Sequence, residues 1–247
     1  MRNAALIATM MGMCAAAGAQ TTPWSYLGKD GPMNWGKLDP AYRACRDGHA
    51  QSPIDIRGAH LNKALPALEF HYIGEAMTVE NNGLSIVVHP DPGSSFTYDG
   101  VRYDLKEMVF HRPSETAVHG RLDDMDVEFL HQSRDGQQAV IEVRLVVDMG
   151  EANATLAMLW GHLPANPGAT ERITDMVNPG GLLPGDYGYW TYTGSLSTPP
   201  CTEGVRWFVM EQELSVSRTQ LQQYTDMFRV SSRPLQDGHG RRIEANE

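Results

Sequence analysis

The sequence predicts a mixed α/β, sheet-dominated fold in a single domain. Short apolar runs with period-two alternation recur along the chain, and clusters of Gly, Pro, Asn and Asp separate them. Only two segments carry a helical pattern. No linker, repeat or low-complexity stretch divides the 247 residues.

In chain order, residues 24–56 are rich in Gly, Pro and Trp without a helical period, which reads as an N-terminal arm wrapped on the domain. Strands are expected at 68–72, 77–80, 84–89, 104–111, 126–131 and 140–148. Turn signals stand between them: Asn81-Asn82-Gly83, Asp91-Pro92-Gly93, Asp99-Gly100 and Asp135-Gly136. This spacing reads as a meander. Residues 153–162 form a short amphipathic segment, expected as a helix or helical turn. Strands return at 187–193 and 205–211. The best helix is 217–228, with Ser217 as N-cap and Leu221, Tyr224 and Phe228 on one stripe.

Residues 1–19 begin with Arg2, continue through an apolar stretch and end in Ala17-Gly18-Ala19, which predicts a signal peptide cleaved after about Ala19. The domain then spans 20–247, in the periplasm or secreted. The leader is too short for a transmembrane segment. The formal net charge of −10, without basic runs, argues against nucleic acid as a partner. Cleavage also removes Cys14, and Cys45 and Cys201 remain as an even pair in an exported chain, so a disulfide is expected.

Several motifs, taken together, resemble one family. They are Trp24-Ser25-Tyr26, Gln51-Ser52-Pro53-Ile54-Asp55-Ile56, the segment from Lys106 through Val109-Phe110-His111 to Pro113-Ser114-Glu115, the loop from Tyr192 through Leu196-Ser197-Thr198-Pro199-Pro200 to Val205, and Ser232-Arg233-Pro234-Leu235-Gln236. In this order they resemble the α-carbonic anhydrases across nearly the whole mature chain. The resemblance implies a large central twisted, mostly antiparallel β-sheet of about ten strands, more than a mean sheet. A few short peripheral helices and a conical cavity with a zinc floor complete the implied fold. It also places Cys45 and Cys201 where exported members carry a disulfide.

The resemblance fails at the metal. Family members place two histidines two residues apart on one strand, so that both imidazoles meet one ion. Here Val109 stands at the first of those positions and only His111 remains. The third histidine belongs one strand later, where this chain has Glu128. His111 and Glu128 are thus a two-ligand remnant, and zinc is expected to be absent or weakly bound. Asp126 falls where the family has an acid that steadies the third histidine, and beside Glu128 it becomes a like charge. Leu84 stands where a histidine commonly relays the proton. Glu115, Ser197 and Thr198 match the family's catalytic gate, and Val109, Leu130, Leu196 and Trp207 match its substrate pocket.

Two features are left to register. Glu142 and Arg144 face the cavity if the strand is counted correctly, and a slip of one residue turns both away. An Arg144 guanidinium inside the cavity would substitute for zinc by pairing with Glu128 or Glu142.

Three functions follow from this pattern. The favoured one is an exported carbonic anhydrase-related binding protein, a pseudoenzyme with an unknown ligand. The alternative is a weak zinc-dependent carbonic anhydrase, converting CO2 and water to bicarbonate and a proton with metal on His111 and Glu128. A residual esterase-like hydrolase is third, and no histidine base is recognisable beside Ser197 and Glu115.

Overall fold

The computed structural model describes residues 22–147 and 152–247. The expected signal peptide and its cleavage site lie outside these residues, as does Asp148 at the end of the sixth expected strand.

Most of the chain is spent on strands, in the order β1 (Asp55–Ile56), β2 (His60–Leu61), β3 (Glu69–His71), β4 (Glu75–Asn81), β5 (Ile86–Pro90), β6 (Ser95–Tyr98), β7 (Val101–His111), β8 (Ala117–Val118), β9 (Met125–Ser133) and β10 (Gln138–Val147). They continue as β11 (Ala169–Val177), β12 (Tyr189–Ser195), β13 (Glu203–Met210), β14 (Leu214–Val216) and β15 (Glu244–Ala245). The helices are short: α1 (Trp35–Leu38), α2 (Ala44–Asp47), α3 (Ala154–Trp160) and α4 (Arg218–Met227). Among the described residues none is long and apolar enough to cross a membrane.

Thirteen strands join one sheet, whose main path runs β11-β4-β5-β7-β9-β10-β13-β12-β15-β2. Most pairings are antiparallel, but β10 pairs in parallel with both β13 and β14, and β15 with β2. The meandering, largely antiparallel order expected from the sequence holds from β4 to β10 and breaks after it. After β10 the chain leaves through α3, adds β11 at the far edge, and returns to lay β13 beside β10. Strand β11 was invisible in the sequence because most of its side chains face solvent, leaving no apolar alternation to read.

The N-terminal arm is more structured than its composition indicated, since α1 and α2 each make a single helical turn there. Such turns are too short to show a period. Trp24, Tyr26 and Trp35 pack edge-to-face beside the Cys45–Cys201 disulfide, which joins residues 156 apart. Leu84 packs against this same cluster. At the other end of the chain, α4 has a full capping box: Ser217 and Gln220 bond each other's backbone reciprocally, and Tyr224 is buried on the inner face.

The largest apolar cluster lies on one face of the sheet and takes in Met108, Phe110, Val127, Phe129, Ile141 and Phe208. A second, smaller cluster holds Val140, Tyr192, Trp207 and Val209, with Leu130 and Leu196 packed against it. The alternation of strands β7, β9 and β10 separates these two layers, so one residue set builds the core and the intervening set faces the second layer.

Candidate functional site

Strands β7, β9 and β10 run antiparallel in strict register where it matters. His111 lies opposite Asp126, Val109 opposite Glu128, Glu128 opposite Glu142, and Asp126 opposite Arg144. Residues in register share a face, so this places an imidazole and three carboxyl groups on one layer of the sheet. All of them are buried: His111 and Glu128 are 1% and 3% exposed, and Asp126 and Glu142 are fully covered.

A cleft with about 40 Å³ of water-accessible room opens onto this layer. His111 and Glu128 lie at its inner end. Val109, Leu130, Leu196 and Trp207 form apolar walls, and Ser197 and Thr198 line it from the loop after β12. Eight residues singled out by the sequence thus meet in one place. Two more lining residues were not singled out, Val140 and Glu107. Both were accessible to counting, because Glu107 sits two before Val109 on the same strand face and Val140 pairs with Leu130.

The polar contacts at the floor leave a definite remainder. His111 Nδ1 bonds Asp126 Oδ1 at 2.9 Å, and the other Asp126 oxygen accepts the Glu115 backbone N–H. Glu115 Oε1 accepts the Arg233 N–H at 2.7 Å. Glu142 takes both the N–H and the hydroxyl of Thr116. His111 Nε2, Glu115 Oε2 and Glu128 Oε1 are buried without a well-formed partner. Ser197 lies near enough to hold the Glu115 carboxyl down slightly, but not in good hydrogen-bond geometry.

These neighbours set the charges. Burial, then the adjacent Glu115, Asp126 and Glu142, pushes the Glu128 carboxyl well above its ordinary range. Burial and Asp126 do the same to Glu142. Burial also raises Glu115, against the opposing pull of His111. For His111 burial acts downward, but Glu115, Asp126 with its hydrogen bond, and Glu142 together push it up to about 9. Burial and like charge thus favour the protonated forms of Glu128 and Glu142 beside a charged His111.

Arg144 does not enter it. Its guanidinium bonds Asp123 at 2.8 Å, Glu213 at 3.0 Å and the Glu211 carbonyl at 2.7 Å, and lies over the Trp190 ring. The expectation of an internal cation pairing with Glu128 or Glu142 is overturned. Arg144 has the correct strand face, but its long side chain reaches along the sheet to acids that the sequence did not connect with it.

A family model for eukaryotic-type carbonic anhydrase matches residues 30–247. The chain belongs to that family. A carbonic anhydrase from Pectobacterium carotovorum is 35% identical over 245 residues, covering 98% of this chain and 99% of its own. The α-carbonic anhydrase of Thermovibrio ammonificans, solved with the inhibitor sulfanilamide, superposes with a TM-score of 0.87 at 35% identity, covering 91% of this chain and all of its own. Dioscorin, solved in complex with ascorbate, superposes at 0.84 and 29% identity over 90% of this chain and 97% of its own.

Carbonic anhydrases are zinc enzymes whose ion takes three histidines and acidifies a bound water to a pKa of about 7. The residues here do not fit that ion. One imidazole is present, with Nε2 unpartnered and Nδ1 on Asp126 as in a metal-ligating histidine, but Val109 has no lone pair and no second imidazole joins it. Ligand atoms of His111, Asp126 and Glu128 do lie within 4.8 Å of one another. That trio is oxygen-rich, however, and Asp126 has both oxygens engaged. A carboxylate ligand would also give negative charge to the metal and raise the water's pKa again.

Proposed function

We propose that this chain is an exported carbonic anhydrase-related protein, impaired in CO2 hydration and holding zinc weakly or not at all, whose cleft serves to bind a small molecule. One observation carries the reading: the β7–β9 register brings Val109, His111 and Glu128 to the cleft floor, where the enzyme needs three imidazoles. The buried acids support it, because a metal would have to displace protons that burial and like charge hold in place. Leu84 supports it as well, since a leucine packed on the arm relays no proton. That the fold holds ascorbate in dioscorin is in keeping with a binding role. Export rests on the leader pattern ending at Ala19.

The competing reading is a weak carbonic anhydrase with a metal on His111 and Glu128 and CO2 against Val109, Leu130, Leu196 and Trp207. The closeness of His111, Asp126 and Glu128 favours it, as do Glu115, Ser197 and Thr198 at the gate positions. Metal analysis of the purified chain, with stopped-flow CO2 hydration, separates the two. The binding reading expects substoichiometric zinc and a rate near that of buffer. One tightly held equivalent of zinc with fast hydration overturns it.

A further inference from the structure

Trp207 lines the cleft, so the alternation of β13 sends Arg206 to the opposite face of the sheet. There it stands between Ala139 of β10 and Thr193 of β12. It lines a cavity of about 320 Å³ bounded by three strand connections: the β6–β7 turn with Tyr98 and Asp99, the β9–β10 turn with Gln137 and Gln138, and the start of β13. Five arginines of the described residues are buried or half-buried. Arg112, Arg144, Arg233 and Arg241 all bond backbone carbonyls, and Arg144 bonds two carboxylates as well. Arg206 alone makes no hydrogen bond or ion pair among the described residues and lies over no aromatic face. Asp99 lines the same cavity without pairing with it. A guanidinium half out of water, with its fork uncommitted, is a receptor for a planar anion.

We propose that this cavity binds a monosaccharide carboxylate, a hexuronate, with its carboxylate on the Arg206 fork and its hydroxyls on the amides and the acid around it. The Tyr103 hydroxyl donates to Gln137 Oε1 at 3.0 Å, which leaves the Gln137 N–H donors for a ligand hydroxyl. The Gln138 amide and the Thr193 hydroxyl can each donate or accept beside it. Asp99 accepts from a hydroxyl, and its charge disfavours a phosphate ester or polyanion, which brings more negative charge close to it. Tyr98 and Tyr103 offer apolar ring surface for the C–H face of a pyranose. Both rings are set in place beforehand, Tyr98 against Phe208 and Tyr103 against Phe96, so binding has little left to order. The volume, at the low end for small-molecule sites, suits one sugar ring.

The cavity lies across the sheet from the cleft, so the inference holds whether or not zinc is bound there. The full chain is titrated with sodium D-glucuronate by saturation-transfer difference NMR, at ionic strength held constant with sodium chloride. Saturable binding is expected. D-glucose lacks the carboxylate and acetate lacks the hydroxyls, and each is expected to bind at least about tenfold more weakly. Arg206→Gln is expected to weaken glucuronate at least about tenfold, the loss that goes with a hydrogen bond to a charged group. Thr193→Glu puts an acid directly opposite Arg206 on the β12–β13 ladder, where it captures the guanidinium. It is expected to abolish glucuronate binding with Arg206 still present. The absence of saturable glucuronate binding overturns the inference. So does acetate or glucose binding as tightly as glucuronate, or glucuronate binding unchanged in either variant, which would place it elsewhere on the molecule.

Discussion

Val109 and Glu128 face each other across the β7–β9 ladder, directly in register, with His111 two residues along on the same face. Histidines at 109 and 128 would therefore complete a set of three imidazoles without moving the backbone. Partners outside the first ligand shell are alone worth about 10- to 100-fold in metal affinity. The double variant Val109→His with Glu128→His is expected to gain more than roughly 100-fold in zinc affinity, and either single variant less. Equilibrium dialysis measures it. An unchanged affinity would show that the three positions do not converge.

Glu128 should make the fold weaker in alkali. Its carboxyl is raised in the folded state above the unfolded value of 4.5, by burial first and neighbouring acids second. The folded state thus holds the proton more tightly, and stability falls as pH rises through the folded value. Glu128→Gln removes this loss. Urea denaturation at pH 8–9 should find the variant more stable by on the order of 1–3 kcal/mol, with the gain vanishing towards pH 5.

His131 acts with the opposite sign. Its Nδ1 bonds the Phe129 carbonyl at 2.8 Å and its Nε2 meets the Tyr72 hydroxyl at 2.8 Å, which fixes a neutral ring with the proton on Nδ1. Burial pushes its pKa down to about 3. Stability from this group is complete above pH 6.5 and is lost as pH falls towards 3, with a slope of at most about 1.4 kcal/mol per pH unit. The His131 ring resonances should show no protonation at pH 5. A ring titrating near 6.5 would contradict the arrangement.

Arg144→Met is expected to cost about 1.5–3 kcal/mol in chemical denaturation, because buried Asp123 loses its 2.8 Å partner and keeps only the exposed Arg121 at 3.3 Å. The same variant should leave zinc content and ligand binding unchanged, since the guanidinium lies outside the floor. A shift in either would return Arg144 to the site.

Much of the site was legible in the sequence because strand periodicity is a local property. Val109, His111 and Glu128 could be assigned to one surface from spacing within each strand and from family motifs around them. Strands β7, β9, β10 and β13 showed clear alternation, and Ser217 announced its helix. Strand β11 did not, for an edge strand with polar side chains on both faces carries no pattern. The parallel placement of β13 beside β10 was equally hidden, because pairing between strands more than sixty residues apart leaves no mark in either one.

The sequence by itself determined the family, the single sheet-rich domain, the pair Cys45 and Cys201, and the shortage of imidazoles at the cavity floor. These follow from residue identity and from spacing within one element. Only the tertiary structure decided which acid meets which cation. Glu142 turned to the floor and took its donors from Thr116, whereas Arg144, two residues on and on the same face, reached instead to Asp123 and Glu213. A strand fixes the side to which a side chain points, but the reach of a flexible arginine is settled by the charges that other segments bring within its length.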